Sequence, residues 1–123
     1  MSKRVLIADD VPELRKLLTR IVDSEDDFCV VGVAEDGEVA FHKAIELRPD
    51  VVLLDLNMPV KGGLDVLPDI RQSLPDAVIV VFSGIDSPTL AAKALALGAD
   101  SYIEKGRAGD EMMAIVRSLI GSL

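Results

Sequence analysis

Five residues, Val51-Val52-Leu53-Leu54-Asp55, constrain the fold of this chain more than any others. Four consecutive aliphatic side chains, two of them β-branched, read as a strand buried on both faces, as in the interior of a parallel sheet. A carboxylate closing such a run is costly to bury without a partner, so it must emerge at the sheet's carboxyl edge. Open α/β sheets place their ligands at that edge. Asn57-Met58-Pro59 and Gly62-Gly63 then break the extended pattern before the next helical segment. On this strand alone, Asp55 reads equally as a reactive carboxylate and as the cap of a turn.

The remaining segments fall into a regular alternation. Val5-Leu6-Ile7-Ala8 is the first strand and ends in Asp9-Asp10; Pro12 then suits a first helical turn. Leu14, Leu17, Leu18, Ile21 and Val22 recur at helical spacing and predict one buried stripe. Phe28 to Ala34 form a second strand, closed by Glu35-Asp36-Gly37. A second helix follows with Val39, Ala40, Ala44 and Leu47 inward, stopped by Arg48-Pro49-Asp50. After the central strand, Leu64, Leu67, Ile70 and Leu74 stripe a third helix, with Pro68 expected near its first turn. Ala77 to Phe82 make a fourth strand that stops at Ser83-Gly84. Ser87-Pro88 starts a fourth helix, with Leu90, Ala91, Ala94 and Leu95 inward and Gly98 closing it. A short strand over Ser101-Tyr102-Ile103-Glu104 ends at Lys105. Asp110 caps the last helix, striped by Ile115, Val116, Leu119 and Ile120.

Five strands alternating with five helices through short connections imply parallel pairing and right-handed crossovers, a doubly wound α/β fold. The 123 residues suit one domain over 1–123 and allow burial of roughly two-thirds of the unfolded surface. With three Phe, one Tyr and no Trp, the core must be aliphatic. Apolar runs of strand length fall far below the roughly 20 residues of a membrane span. Met1-Ser2-Lys3-Arg4 has no signal-peptide core, so a cytoplasmic location without membrane contact is expected. Cys29, the single cysteine, reads as a small core residue. A net charge of −8 argues against direct nucleic-acid binding by this domain, because phosphate contacts need a basic face. The cluster Asp23-Ser24-Glu25-Asp26-Asp27 reads as a solvated loop, and His42 as a helix-surface residue.

In a parallel sheet the strand ends share one edge, so Asp9, Asp10, Asp55, Ser83 and Lys105 converge there, while Glu35 receives no role. Two like charges about 4 Å apart repel by roughly 4 kcal/mol at an effective dielectric near 20. Three carboxylates in one pocket therefore need a cation or must take up protons. Mg²⁺ suits them, being hard and oxygen-seeking, and Cys29 and His42 lie outside the set. On this reading Asp55 attacks phosphorus and becomes an acyl phosphate. Asp10 holds Mg²⁺ directly and Asp9 partly through water. Lys105 balances charge on the phosphoryl oxygens, Ser83 donates its hydroxyl to one of them, and Gly84 leaves room. Phosphoryl transfer relies on positioning and charge neutralisation, so the inventory is sufficient.

Asp9-Asp10, Asp55-Leu56-Asn57-Met58-Pro59 with Gly63, Ser83-Gly84, Gly98-Ala99-Asp100 and Tyr102-Ile103-Glu104-Lys105 together resemble the receiver domain of two-component response regulators, over essentially the whole chain. The resemblance implies a flavodoxin-like sheet of order 2-1-3-4-5. It implies a phosphohistidine donor on a sensor histidine kinase or histidine phosphotransfer protein, and the Asn57 backbone carbonyl as a further metal ligand. It also implies Ser83 and Tyr102 as a switch pair. On phosphorylation Ser83 is drawn inward and Tyr102 turns into the space vacated. The surface of the fourth helix, fifth strand and fifth helix then changes, where partners or a second copy of the chain would dock.

One residue departs from the receiver pattern: Gly106 stands where receivers usually carry proline after the lysine, which implies a more mobile loop. Activity in this reading is limited to self-phosphorylation and autodephosphorylation. The competing enzyme reading is a phosphatase of the haloacid dehalogenase type with Asp55 as nucleophile. Such enzymes place a second Asp two residues after the first as general acid, and that position is Asn57 here. A nucleotide-binding module is disfavoured because Asp9-Asp10-Val11-Pro12 lacks the glycines needed to approach a pyrophosphate.

Overall fold

The computed structural model of the chain describes residues 2–84, 87–105 and 109–121, side chains excepted at 109 and 110. Five strands, β1 (Lys3–Ala8), β2 (Phe28–Ala34), β3 (Val51–Asp55), β4 (Val78–Ser83) and β5 (Ser101–Glu104), alternate with five helices. The helices are α1 (Pro12–Asp23), α2 (Gly37–Leu47), α3 (Gly63–Ser73), α4 (Pro88–Ala96) and α5 (Gly109–Gly121). All pairings are parallel and the sheet order is β2-β1-β3-β4-β5. β3 lies at the centre and all five of its residues are buried, as its unbroken apolar run demands.

Alternation along the strands divides the core into two layers. Leu6, Val52, Leu54, Ile79 and Val81 join Ala40, Ala44, Leu67, Ile70 and Ala94 of α2, α3 and α4. Val5, Ile7, Leu53, Val80 and Ile103 join Val22 of α1 and Met112, Met113 and Val116 of α5. The helices start where the side chains dictate. Pro12 occupies the first turn of α1, the Asp36 carboxylate accepts from Val39 N–H at 2.9 Å, and the Ser87 hydroxyl accepts from Leu90 N–H at 3.2 Å.

Several expectations need correction. Only Val22 of the α1 stripe is fully buried, and Leu17 is 45% exposed. Leu14, Leu17, Leu18 and Ile21 instead line an open cavity of ≈240 Å³ shared with Met112 of α5. Leu95 is 48% exposed, because α4 rests on the sheet edge through Ala94. Pro68 sits in the second turn of α3 rather than the first, since the helix already begins at Gly63. β4 begins at Val78, one residue after the apolar run starts, and ends on Ser83 as expected, where Ser83 pairs with Glu104 of β5. Cys29 is only half-buried, on edge strand β2. Met112 and Met113, one turn before Val116, belong to the core although the predicted stripe began at Ile115. The cap assigned to Asp110 lies outside the described residues.

The acidic α1–β2 connection is bound as well as solvated. Arg117 of α5 reaches Asp27 at 2.7 Å and Glu25 at 3.1 Å, and its guanidinium lies 5.3 Å from the centre of the Phe28 ring. The hydrogen bond from Arg117 holds Asp27 below the ordinary carboxylate value of 3.8. A carboxyl depressed in the folded state contributes stability above its unfolded value and loses it as pH falls through the folded one. Arg117→Ala is therefore expected to lower the melting temperature at pH 7. The gap from the native chain should narrow as the pH falls through and below 3.8. A gap independent of pH would show that Arg117 acts through packing on Phe28 alone.

Candidate functional site

The site is assembled at the carboxyl edge of the sheet from residues that end or follow strands. Asp9 follows β1, and its N–H donates to the Ala34 carbonyl of β2 at 3.0 Å. Its Oδ1 accepts from Val11 N–H at 2.9 Å, closing a tight turn before α1, while Arg15 of α1 donates to its carbonyl at 2.8 Å. Asp55 ends β3 and accepts through Oδ1 from Asn57 N–H at 3.1 Å. Asp9 and Asp55 are each 1% exposed, and Asp10 is exposed. One carboxylate oxygen from each of Asp9, Asp10 and Asp55 lies within 4.8 Å of the others.

Lys105 enters from the end of β5. Its N–H donates to the Ser83 carbonyl at 2.7 Å, which extends the β4–β5 pairing by one residue and aims the side chain across the edge. Its Nζ lies 3.1 Å from Asp55 Oδ2 and 3.3 Å from Asp9 Oδ2. Apart from this ion pairing, Asp9 Oδ2 and Asp55 Oδ2 are buried with no hydrogen-bond partner among the described residues.

Electrostatics follow from this crowding. Burial pushes the Asp55 carboxyl up, with Asp9 adding to it, and the Asn57 N–H and Lys105 only partly offset them. Burial presses Lys105 downward, but the Asp55 and Asp9 carboxylates outweigh it and hold it above 10.5. Three carboxylates facing one ammonium leave two negative charges, which a divalent cation would neutralise. The donors are all oxygens, with two orphaned and one solvent-exposed. That is the set a hard cation with a partly hydrated shell prefers.

The structure thus brings Asp9, Asp10, Asp55 and Lys105 together and places Ser83, 1% exposed, on the strand between β3 and β5. Asn57 is exposed two residues beyond Asp55, and Gly84 is open, with nothing within 4 Å of where a Cβ would stand. Tyr102 is half-buried against the layer formed by α2, α3 and α4. His42 is exposed on α2, as expected, and Glu35 is exposed before it. The expectation attached to Gly106 lies outside the described residues. The sequence pattern does not reveal the Gly37–Lys61 contact, in which Gly37 N–H donates to the Lys61 carbonyl at 2.9 Å; its one signal is the Asp36-Gly37 pair at a helix start.

Comparison with known proteins agrees with this geometry. The family described as response regulator receiver domain matches residues 5–117. Response regulator GacA of Pseudomonas viridiflava is 38% identical over 114 residues, 93% of this chain and 53% of that protein. A protein-glutamate methylesterase/protein-glutamine glutaminase of Caldanaerobacter subterraneus is 41% identical over 103 residues, 83% of this chain and 28% of that protein. The chain therefore spans about half of one of these relatives and about a quarter of the other. Among solved structures, the response regulator domain of Thermotoga maritima CheB superposes with a TM-score of 0.91 at 32% identity, covering 98% of each chain. A chain of the CheX–CheY–BeF3–Mg²⁺ complex from Borrelia burgdorferi superposes with a TM-score of 0.90 at 30% identity, covering 96% of this chain and 89% of that one. No described helix is long and apolar enough to cross a membrane. By family match, sheet order and the acidic edge alike, the chain belongs to the response regulator receiver domains of two-component systems.

Proposed function

We propose that this receiver domain, 1–123, accepts a phosphoryl group from a phosphohistidine donor onto Asp55, with Mg²⁺ bound by Asp9, Asp10, Asp55 and the Asn57 carbonyl. The carrying observation is the Asp55 carboxylate: buried, with an orphaned Oδ2, 3.1 Å from Lys105 and within 4.8 Å of two further carboxylates. A bound divalent ion supplies charge neutralisation for the phosphoryl oxygens at that point. Asp55 Oδ2 is the attacking atom, since Oδ1 is held by the Asn57 N–H. Lys105 follows the charge from the carboxylate to the transferred group. Ser83 and Lys105 complete the cradle from β4 and β5, and the open space at Gly84 admits the group. The relative from Borrelia burgdorferi crystallised in a complex with BeF3 and Mg²⁺, which supports the same chemistry here.

Tyr102 and Ser83 lie on adjacent strands, and inward movement of Ser83 toward the phosphoryl group would let Tyr102 turn, altering the α4-β5-α5 surface. That surface is the proposed docking face for an output partner or for a second copy of the chain. The sensor histidine kinase or histidine phosphotransfer protein is the proposed donor, and the cytoplasm the proposed location. Incubation with Mg²⁺ and acetyl phosphate should add one phosphoryl group by intact mass. The gain should vanish on chelation. Equal labelling with and without chelator would overturn the metal assignment, and labelling that maps to another residue would overturn the acceptor.

A further inference from the structure

The loop that leads from β3 to α3 and carries Asn57 is anchored at both ends. Leu56 N–H donates to the Phe82 carbonyl and Gly63 N–H to the Leu56 carbonyl, each at 3.0 Å. Its middle, residues 57–61, receives one backbone hydrogen bond from another element among the described residues: Gly37 N–H to the Lys61 carbonyl at 2.9 Å. Gly37 is the buried first residue of α2, so this bond uses one of the N–H groups that a helix start leaves without an intrahelical partner. The Asp36 carboxylate takes another through Val39, so the loop carbonyl and Asp36 cap α2 together.

The closeness of that contact depends on the missing side chain. A Cβ on residue 37 would lie 2.0 Å from the Lys61 carbonyl oxygen and 2.8 Å from its carbon, where real contacts stay beyond 3.0 Å. Any side chain must separate the two backbones by about 1 Å. α2 is fixed on the sheet by Ala40 and Ala44, both fully buried, whereas Asn57, Pro59 and Val60 are exposed. The loop is the part that yields.

We infer that Gly37 is a positioning residue for the metal site: by admitting the Lys61 carbonyl to the first turn of α2, it fixes the loop that presents the Asn57 carbonyl beside Asp55. This role rests on the reading of Asn57 as a metal ligand. Mg²⁺ requires near-ideal octahedral ligands, while Ca²⁺ accepts a larger and more flexible oxygen shell. Displacing one ligand therefore penalises Mg²⁺ more than Ca²⁺.

Thermal-melt titrations with MgCl2 and with CaCl2, on the native chain, Gly37→Ala and Gly32→Ala, test the inference. Gly37→Ala should weaken Mg²⁺ at least about tenfold and Ca²⁺ clearly less, lowering the Mg²⁺/Ca²⁺ selectivity. Gly32→Ala is the control. Its Cβ would meet the movable end of Leu47 at 2.7 Å, away from the loop, so it should lose stability but keep the native selectivity. Should Gly37→Ala fail to fold, Gly37→Ala/Lys61→Gly carries the same comparison with a loop freer to move, Lys61→Gly alone being its reference. Native Mg²⁺ affinity in the Gly37 variant, or equal loss of both cations, overturns the inference. A native chain whose melt ignores Mg²⁺ overturns the metal reading itself, and the role of Gly37 with it.

Discussion

Asp55→Asn is expected to take up no phosphoryl group from acetyl phosphate and, without divalent cations, to melt a few degrees above the native chain at pH 7. An amide oxygen is not a competent nucleophile here, so the chemical effect is all or none. The physical effect comes from the crowding of carboxylates at this edge. Asp55 shares its edge with Asp9 and Asp10 within 4.8 Å, and each like-charge pair at that range costs about 3.5 kcal/mol at an effective dielectric near 20. Losing the attraction to Lys105 offsets part of this, leaving a net gain on the order of 1 kcal/mol, or roughly 3–6 °C. Asparagine also keeps an oxygen to accept the Asn57 N–H, so that local turn survives.

The pH dependence of that gain has a definite sign. Burial, and secondarily Asp9, raise the Asp55 carboxyl above 3.8 in the folded state. A carboxyl raised on folding destabilises the fold once it ionises, and the cost is absent below the unfolded value, where both states are protonated. The advantage of Asp55→Asn should therefore be full at pH 7 and fade toward 3.8. With Mg²⁺ at about ten times its dissociation constant, the native chain should recover about 1.4 kcal/mol. Melts placing the asparagine variant below the native chain at pH 7 without cation would refute the account.

Architecture and acidic edge were legible in the sequence because both depend on one-dimensional signals. An unbroken run such as Val51–Leu54 can only be interior, and a parallel sheet sends every strand end to the same side, so Asp9, Asp10, Asp55 and Lys105 had to meet. The bounds of β2, Phe28–Ala34, followed from its apolar composition. What stayed hidden depends on how elements meet in three dimensions. Leu17 shares the helical phase of Leu14 and Ile21, yet is exposed because α1 and α5 leave a groove between them. Leu95 has the right periodicity on a helix of which only Ala94 is fully buried. The pairing of Arg117 with Asp27 joins residues 90 positions apart, and nothing in an acidic loop names its basic partner.

Gly63→Ala is expected to cost about 3 kcal/mol, whereas the same substitution at the neighbouring Gly62 should cost less than about 1 kcal/mol. The two glycines look alike in sequence, both breaking the pattern after β3. A Cβ on Gly63 would stand 2.3 Å from the Asp55 carbonyl oxygen, 2.8 Å from Leu56 Cα and 3.0 Å from the Asp55 carbonyl carbon. All three are backbone atoms of the strand end, which cannot rotate aside as a side chain would. At Gly62 the nearest atom would be the Leu56 carbonyl oxygen at 3.4 Å, and its φ of −72° suits any residue. A chain of this length is held by roughly 6–18 kcal/mol in total, so the Gly63 loss is a large share and should lower the urea midpoint well beyond error. Two of the three atoms belong to Asp55 itself. The fraction of Gly63→Ala that remains folded should therefore also accept phosphoryl groups more slowly, while Gly62→Ala labels at the native rate. Matching urea midpoints for the two variants would mean that α3 slides away from β3 at little cost, and that the close approach at Gly63 does not set the position of Asp55.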